Sequence, residues 1–329
     1  MTSPGLGRKF ARIGLIVAIP VIPGLVFTVV GRSGASTIWT LGSLTGLLAV
    51  LYAGPRIALA TAGAMSLASA IACLVWDQPW LALVLMAACA GATGLMARRG
   101  LSTALVMAPI TVGFMVAEPP RLLSLAPFGS ALLTAGVMLL AAGWGVLVGA
   151  ILGRKVHLPV PGPASHSRAL AFAITIGAMA GIAAWFVSDL GLAHGGAWLL
   201  MTILVVMQPY LKDTWTKTLQ RAGGTVVGFC LALALARLVP WQGVLYVVGA
   251  LFIVAALVLR SNPARPYWQY VALLTPAIVL LEGASTSVVQ TDVTRLTFTL
   301  VGAGAALVVT ALQLPFYRRS AAGLGVAHH

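Results

Sequence analysis

Apolar residues gather along the chain into runs long enough to cross a bilayer, separated by short polar or basic breaks. A helix spanning the hydrocarbon core needs about 20 mostly apolar residues. Runs of that kind fall at 11–30, 35–53, 56–76, 80–97, 101–117 and 129–152, and again at 168–187, 196–210, 216–238, 243–260, 267–282 and 293–314. Period-two alternation is missing from these runs, which argues against barrel strands of about 10 residues. The pattern therefore predicts an all-α polytopic membrane protein with twelve transmembrane helices. Residues 8–30 have the layout of a signal peptide, with Arg8, Lys9 and Arg12 ahead of an apolar stretch. Pro20 and Pro23 interrupt that stretch, and the alternation of charged breaks needs it, so it is expected to be the first helix.

Composition supports lipid as the solvent. Of 329 residues, 60% are hydrophobic and 8% charged, with a mean hydropathy of +1.01. Soluble domains average about 25% charged residues, so too few charges exist here to coat a wet surface.

The net charge of +14 would suggest nucleic acid in a soluble chain. Position decides otherwise. With the N-terminus inside, every Lys and Arg except Arg32, Arg121, Arg237 and Arg295 falls on a cytoplasmic segment. The acids Asp77, Glu118, Asp189, Glu282 and Asp292 fall on the opposite side, and Asp213 alone inside. The positive-inside rule reads this as topology, with both termini cytoplasmic. No basic patch is interleaved with aromatics outside the membrane, so nucleic acid is not an expected partner. The cysteines Cys73, Cys89 and Cys230 all sit in apolar spans without metal spacing, and neither a metal site nor a cofactor is expected.

Segment 153–167, GRKVHLPVPGPASHS, reads as a cytoplasmic linker rich in Pro and Ser. It divides the chain into a first six-helix unit (1–152) and a second (168–317), with a cytoplasmic tail at 318–329. Features recur across it 165 residues apart: Arg56 with Arg221, Gly63 with Gly228, Arg154 with Arg319. Six crossings per half insert both halves in the same orientation, one of the repeat types of transporters. The alternative is chance matching among Ala/Gly/Leu-rich helices. R-x-x-x-T-x-x-G also occurs twice in the second half, at Arg221–Thr225–Gly228 and Arg295–Thr299–Gly302.

Asp213, Lys217, Arg221, Thr225 and Gly228 share one helical face by their spacing. Lys217 and Arg221 stand near the start of a helix, whose backbone also attracts anions. Gly224 and Gly228 form a small-xxx-small packing face. Two readings stay open: a substrate path lined by Lys217, Arg221, Thr225 and Arg56, or basic residues that snorkel to the interface. Arg295 with Thr299 is either an outer anion gate or the partner of Asp292. Glu118 and Glu282 are candidates for proton coupling, or else solvated residues at the outer boundary. Gly63 and Gly302 are expected to pack.

The stretch 194–302 resembles the fusaric acid resistance-like, or aromatic acid exporter, family. Trp198, Thr202 and Gln208-Pro209 carry the resemblance, then Arg221, Gly224, Thr225 and Gly228, then Tyr270, Thr275-Pro276, Arg295, Thr299 and Gly302. The first half departs from it, with Leu59 and Ala60 where the second has Gly224 and Thr225. The resemblance implies export of organic anions, particularly aromatic carboxylates, across a bacterial inner membrane, and adds Trp198 and Gln208 to the substrate path.

No HExxH, GxSxG or GxxxxGK motif occurs, so an enzyme or a nucleotide-driven pump is not expected. A major facilitator carrier would show an acidic motif after its second helix, where this chain reads LYAGPRIALATAG. Remaining alternatives are an anion channel of the same architecture and a non-transporting assembly component. The expected partners are the lipid bilayer and a small organic anion, with a periplasmic adaptor open to such an exporter. Two fused halves would let a monomer act as a pseudo-dimer, and a homo-oligomer is the alternative.

Overall fold

The structure, a computed structural model, describes residues 4–120, 122–123, 125–154, 162–239, 241–261, 265–282 and 288–323. In chain order these form α1 (Pro4–Val29), α2 (Ser33–Ala53), α3 (Pro55–Val75), α4 (Pro79–Leu95), a 3-10 turn (Met96–Arg99), α5 (Ser102–Leu105), α6 (Met107–Ala117) and α7 (Pro127–Leu152). Then follow α8 (His166–Asp189), α9 (Ala193–Val206), α10 (Leu211–Leu238), α11 (Gln242–Ser261), α12 (Tyr267–Glu282) and α13 (Val288–Gly323). No strand occurs among the described residues. Seven of the helical stretches described are long and apolar enough to cross a membrane: Gly34–Ala53, Pro55–Val75, Pro79–Arg99, Pro127–Leu152, His166–Asp189, Thr214–Leu238 and Val293–Leu312. Most of the linker, at 155–161, lies outside the described residues.

Every predicted span falls on helix, with departures that have local causes. The span expected at 101–117 is broken at Val106 into α5 and α6. Pro109, one turn after Leu105, has no N–H for the Leu105 carbonyl. The span expected at 196–210 stops at Val206, because Met207 adopts an extended backbone (φ −64°, ψ 130°) and Gln208 precedes Pro209, which disfavours helix. In α1, Pro23 leaves the Ile19 carbonyl without its helical donor, and the Trp144 indole of α7 donates to that carbonyl at 3.4 Å. Trp39 of α2 likewise donates to the Pro20 carbonyl at 3.1 Å.

Helix pairs that lack a hydrophobic driving force in lipid associate through small residues and close contact. Along α2 and α7, Gly46 meets the Ala142 backbone and Gly145 the Ser43 backbone, so closely that a side chain at either position would collide. The α4–α8 pair joins the two halves in the same way, with Gly177 over the Ala87 carbonyl and Gly181 over the Leu83 carbonyl. Across this seam the Ser188 hydroxyl donates to the Trp76 carbonyl at 2.6 Å. The core is threaded through α3, α4, α6, α8 and α9, where Met65, Met86, Ile110, Met115, Ile176, Leu200 and Leu204 are almost fully buried. Large apolar residues on the outer faces, such as Leu67, Phe128, Leu140 and Leu312, are exposed as lipid-facing residues would be.

Candidate functional site

The non-helical link between α9 and α10 is tied down by its own side chains. The Gln208 amide donates to the Met207 carbonyl at 2.6 Å and the Val205 carbonyl at 3.3 Å. Those carbonyls belong to the end of α9, where the helix itself supplies no donors. The Thr214 hydroxyl accepts the Gln208 N–H at 2.9 Å and, across the break, Thr103 of α5 stands 3.5 Å from Gln208 Oε1. Gln208 thus has a structural task at this point.

Between this link and the α4–α5 turn lies a cavity of about 320 Å³. Ser102, Thr103, Gly162, Gln208, Tyr210 and Lys217 are among the residues that line it. The Arg168 guanidinium lies 4.6 Å from the Tyr210 ring centre at the same end of the bundle. Two interrupted helical segments therefore border a polar cavity, the arrangement in which transporters place substrate.

Lys217 leads from the cavity to α12. Its ammonium lies 5.5 Å from the Tyr267 ring centre, and one turn further along α10 the Arg221 Nη1 donates to the Tyr267 hydroxyl at 3.3 Å. Gln220 Oε1 accepts the Tyr267 N–H at 3.0 Å, capping the start of α12. Gly224 and Gly228 let the helices run side by side in parallel. A Cβ at Gly224 would lie 2.6 Å from the Trp268 carbonyl oxygen, and one at Gly228 2.6 Å from Thr275 Cβ.

Arg221 is 5% exposed, and its Nε is buried without a hydrogen-bond partner. Snorkelling would keep the head group at the interface; this one is packed against α12 instead. Thr225, one turn on, is buried on the same face.

Arg295 of α13 is also buried, at 4% exposure. Its guanidinium carbon lies 3.9 Å from the Trp198 ring centre, and Nη1 stands 3.4 Å from the Thr275 carbonyl. Trp198 in turn meets the edge of Phe114. Thr299 and Thr202 are buried beside this group, with Gly302 against Thr202. Trp198, Thr275 and Arg295 thus converge from α9, α12 and α13.

Three sequence expectations need correction or restatement. Arg56 is exposed at the start of α3, which packs on α2, α4, α6 and α7, and so does not stand with Arg221. Gly63 is exposed, with nothing within 4 Å of a Cβ built there, so it is not a packing residue. The face of α3 that corresponds to the Arg221 face of α10 is turned outward. Glu118 is exposed just past α6; the side chains of Asp213, Glu282, Asp292 and His194 lie outside the described residues. Sequence reading passed over Tyr267, Gln220, Ser102 and Thr103. A weak signal existed for two of them: hydroxyl residues directly after Gly100, in an otherwise apolar span.

A multi-pass helical membrane protein with a polar cavity at interrupted helices and buried cationic side chains is transporter-like in build. Residues 182–309 match the model of the family described as fusaric acid resistance protein-like. The match contains Trp198, Gln208, Lys217, Arg221, Tyr267 and Arg295. No curated protein and no solved structure matches the chain.

Proposed function

We propose that the protein carries organic anions, aromatic carboxylates foremost, outward across a bacterial inner membrane. The observation that carries this reading is Arg221: a buried guanidinium with an unpartnered Nε, reached from a polar cavity by way of Lys217 and Tyr267. A cation held inside apolar surroundings needs a counter-charge or a wet cavity. A carboxylate meets the planar guanidinium well, because both present paired hydrogen-bonding atoms. The rings of Tyr267 and Tyr270, 5.7 Å apart, provide an aromatic flank beside it.

The cavity is the cytoplasmic vestibule on this reading, since Arg98, Arg99, Arg168 and Lys217 gather at that end in the sequence. Both termini then lie in the cytoplasm. Duplication of a six-helix unit belongs to the same proposal. It is supported by packed pairs that recur at matching positions: α1–α2 with α8–α9, α2–α7 with α9–α13, α3–α7 with α10–α13, and α3–α6 with α10–α12. The first unit serves as scaffold, since Arg56 and Gly63 face outward.

The test is flux of labelled benzoate and 4-hydroxybenzoate from proteoliposomes holding the full chain. Arg221→Gln and Lys217→Ala are expected to lower flux by about tenfold or more, as loss of a charge-assisted contact would. Wild-type rates in both variants, at equal incorporation, would defeat the proposal.

A further inference from the structure

The buried residues around Arg295 form a group of their own, separate from the vestibule. Arg295 stands at Thr275 of α12, while Arg221 stands at Tyr267. Eight residues of helix separate these points, about 12 Å along the axis. The guanidinium lies over the Trp198 ring, so its flat face is covered and its N–H edge is left for hydrogen bonding in the plane.

Thr202, one turn beyond Trp198 on α9, supplies the second observation. Buried helical threonines elsewhere in the protein turn their hydroxyls back onto the carbonyl four residues earlier: Thr45 to Leu41 at 2.7 Å, Thr111 to Met107 at 2.9 Å, Thr218 to Thr214 at 2.7 Å and Thr310 to Ala306 at 2.7 Å. Thr202 is fully buried, and its hydroxyl has no partner at all. A buried polar group left unmade in this way marks a place for a ligand. Its neighbour across the helix pair is Gly302, and Thr299 stands one turn past Arg295 on the facing helix.

We infer that Arg295, Thr202 and the Trp198 indole hold a second carboxylate station, in series with the Lys217–Arg221 station along α12. One carboxylate oxygen takes the edge of the Arg295 guanidinium, the other takes the Thr202 hydroxyl, and the indole flanks the body of the anion. An anion leaving Arg221 then moves about 12 Å to the next guanidinium without facing bare hydrocarbon. The inference rests on the reading of Arg221 as part of an anion path.

Equilibrium binding of labelled benzoate to the purified full chain, with flux in proteoliposomes, tests it. Thr202→Val keeps the shape and removes the hydroxyl; Arg295→Lys keeps the charge and removes the planar edge. Each is expected to raise the benzoate KM about tenfold, the factor for one hydrogen bond to a charged group, with an unchanged melting temperature for Thr202→Val. Benzoate binding is expected to fall from two molecules per chain to one in Arg295→Gln, and likewise in Arg221→Gln. Chloride, which has no second oxygen to reach Thr202, is expected to bind equally to wild type and Thr202→Val. If Thr202→Val and both Arg295 variants bind and carry benzoate as wild type while Arg221→Gln does not, the second station is wrong and the vestibule reading stands. If Arg221→Gln is also unaffected, both are wrong.

Discussion

The Tyr267 hydroxyl accepts a hydrogen bond from Arg221 Nη1 at 3.3 Å, joining the first turn of α12 to the third turn of α10. That contact fills one of the positions through which the guanidinium would meet an anion, and it sits directly above the Lys217 ammonium. Tyr267 is therefore both a partner of the resting site and a competitor of the substrate.

Tyr267→Phe keeps the ring and removes the acceptor. Losing a buried hydrogen bond to a charged group costs about 1.5–3 kcal/mol, so a lower melting temperature in detergent is expected. In flux assays the benzoate KM should fall, because the freed Nη1 no longer has to exchange partners. A KM that rises would mean that Tyr267 holds Arg221 in position instead.

Two glycines that look alike in the sequence should respond in opposite ways. Gly228→Ala places a Cβ against Thr275, Ala272 and Pro276 of α12, and overpacking of this kind costs about 1–3 kcal/mol. Gly63→Ala meets open space and gains roughly 0.5–1 kcal/mol of helix propensity. Thermal unfolding followed by size-exclusion chromatography separates the two; equal shifts would show that the α10–α12 approach is looser than described.

Arg56→Ala is expected to leave carboxylate flux within about twofold of wild type, since an exposed charge contributes little. The same substitution at Arg221 should lower it by about tenfold or more. Matching losses at the two positions would restore Arg56 to the path.

Sidedness is checked by single cysteines in a background where Cys73, Cys89 and Cys230 are replaced. With cytoplasmic termini, Arg99→Cys and Gly162→Cys should resist a membrane-impermeant maleimide in intact cells, while Asp77→Cys and Asp189→Cys react. The reverse pattern would invert the assignment of the vestibule to the cytoplasm.

Much of this protein is settled by local chemistry. Runs of apolar residues near 20 long leave no soluble alternative, and each predicted span lies on helix because backbone polar groups in lipid must be satisfied within the segment. The shared face of Lys217, Arg221, Thr225 and Gly228 was equally legible, as fixed helical geometry relates residues close in sequence. Which way a face points depends on the neighbouring helix, and only the tertiary structure decides that. Arg56 and Arg221 occupy matching positions 165 residues apart, yet one is exposed and the other buried, because α12 closes over α10 while the corresponding face of α3 is left open. Trp198, Thr275 and Arg295 come from three helices far apart in the chain, and no periodicity could have placed an indole, a carbonyl and a guanidinium together.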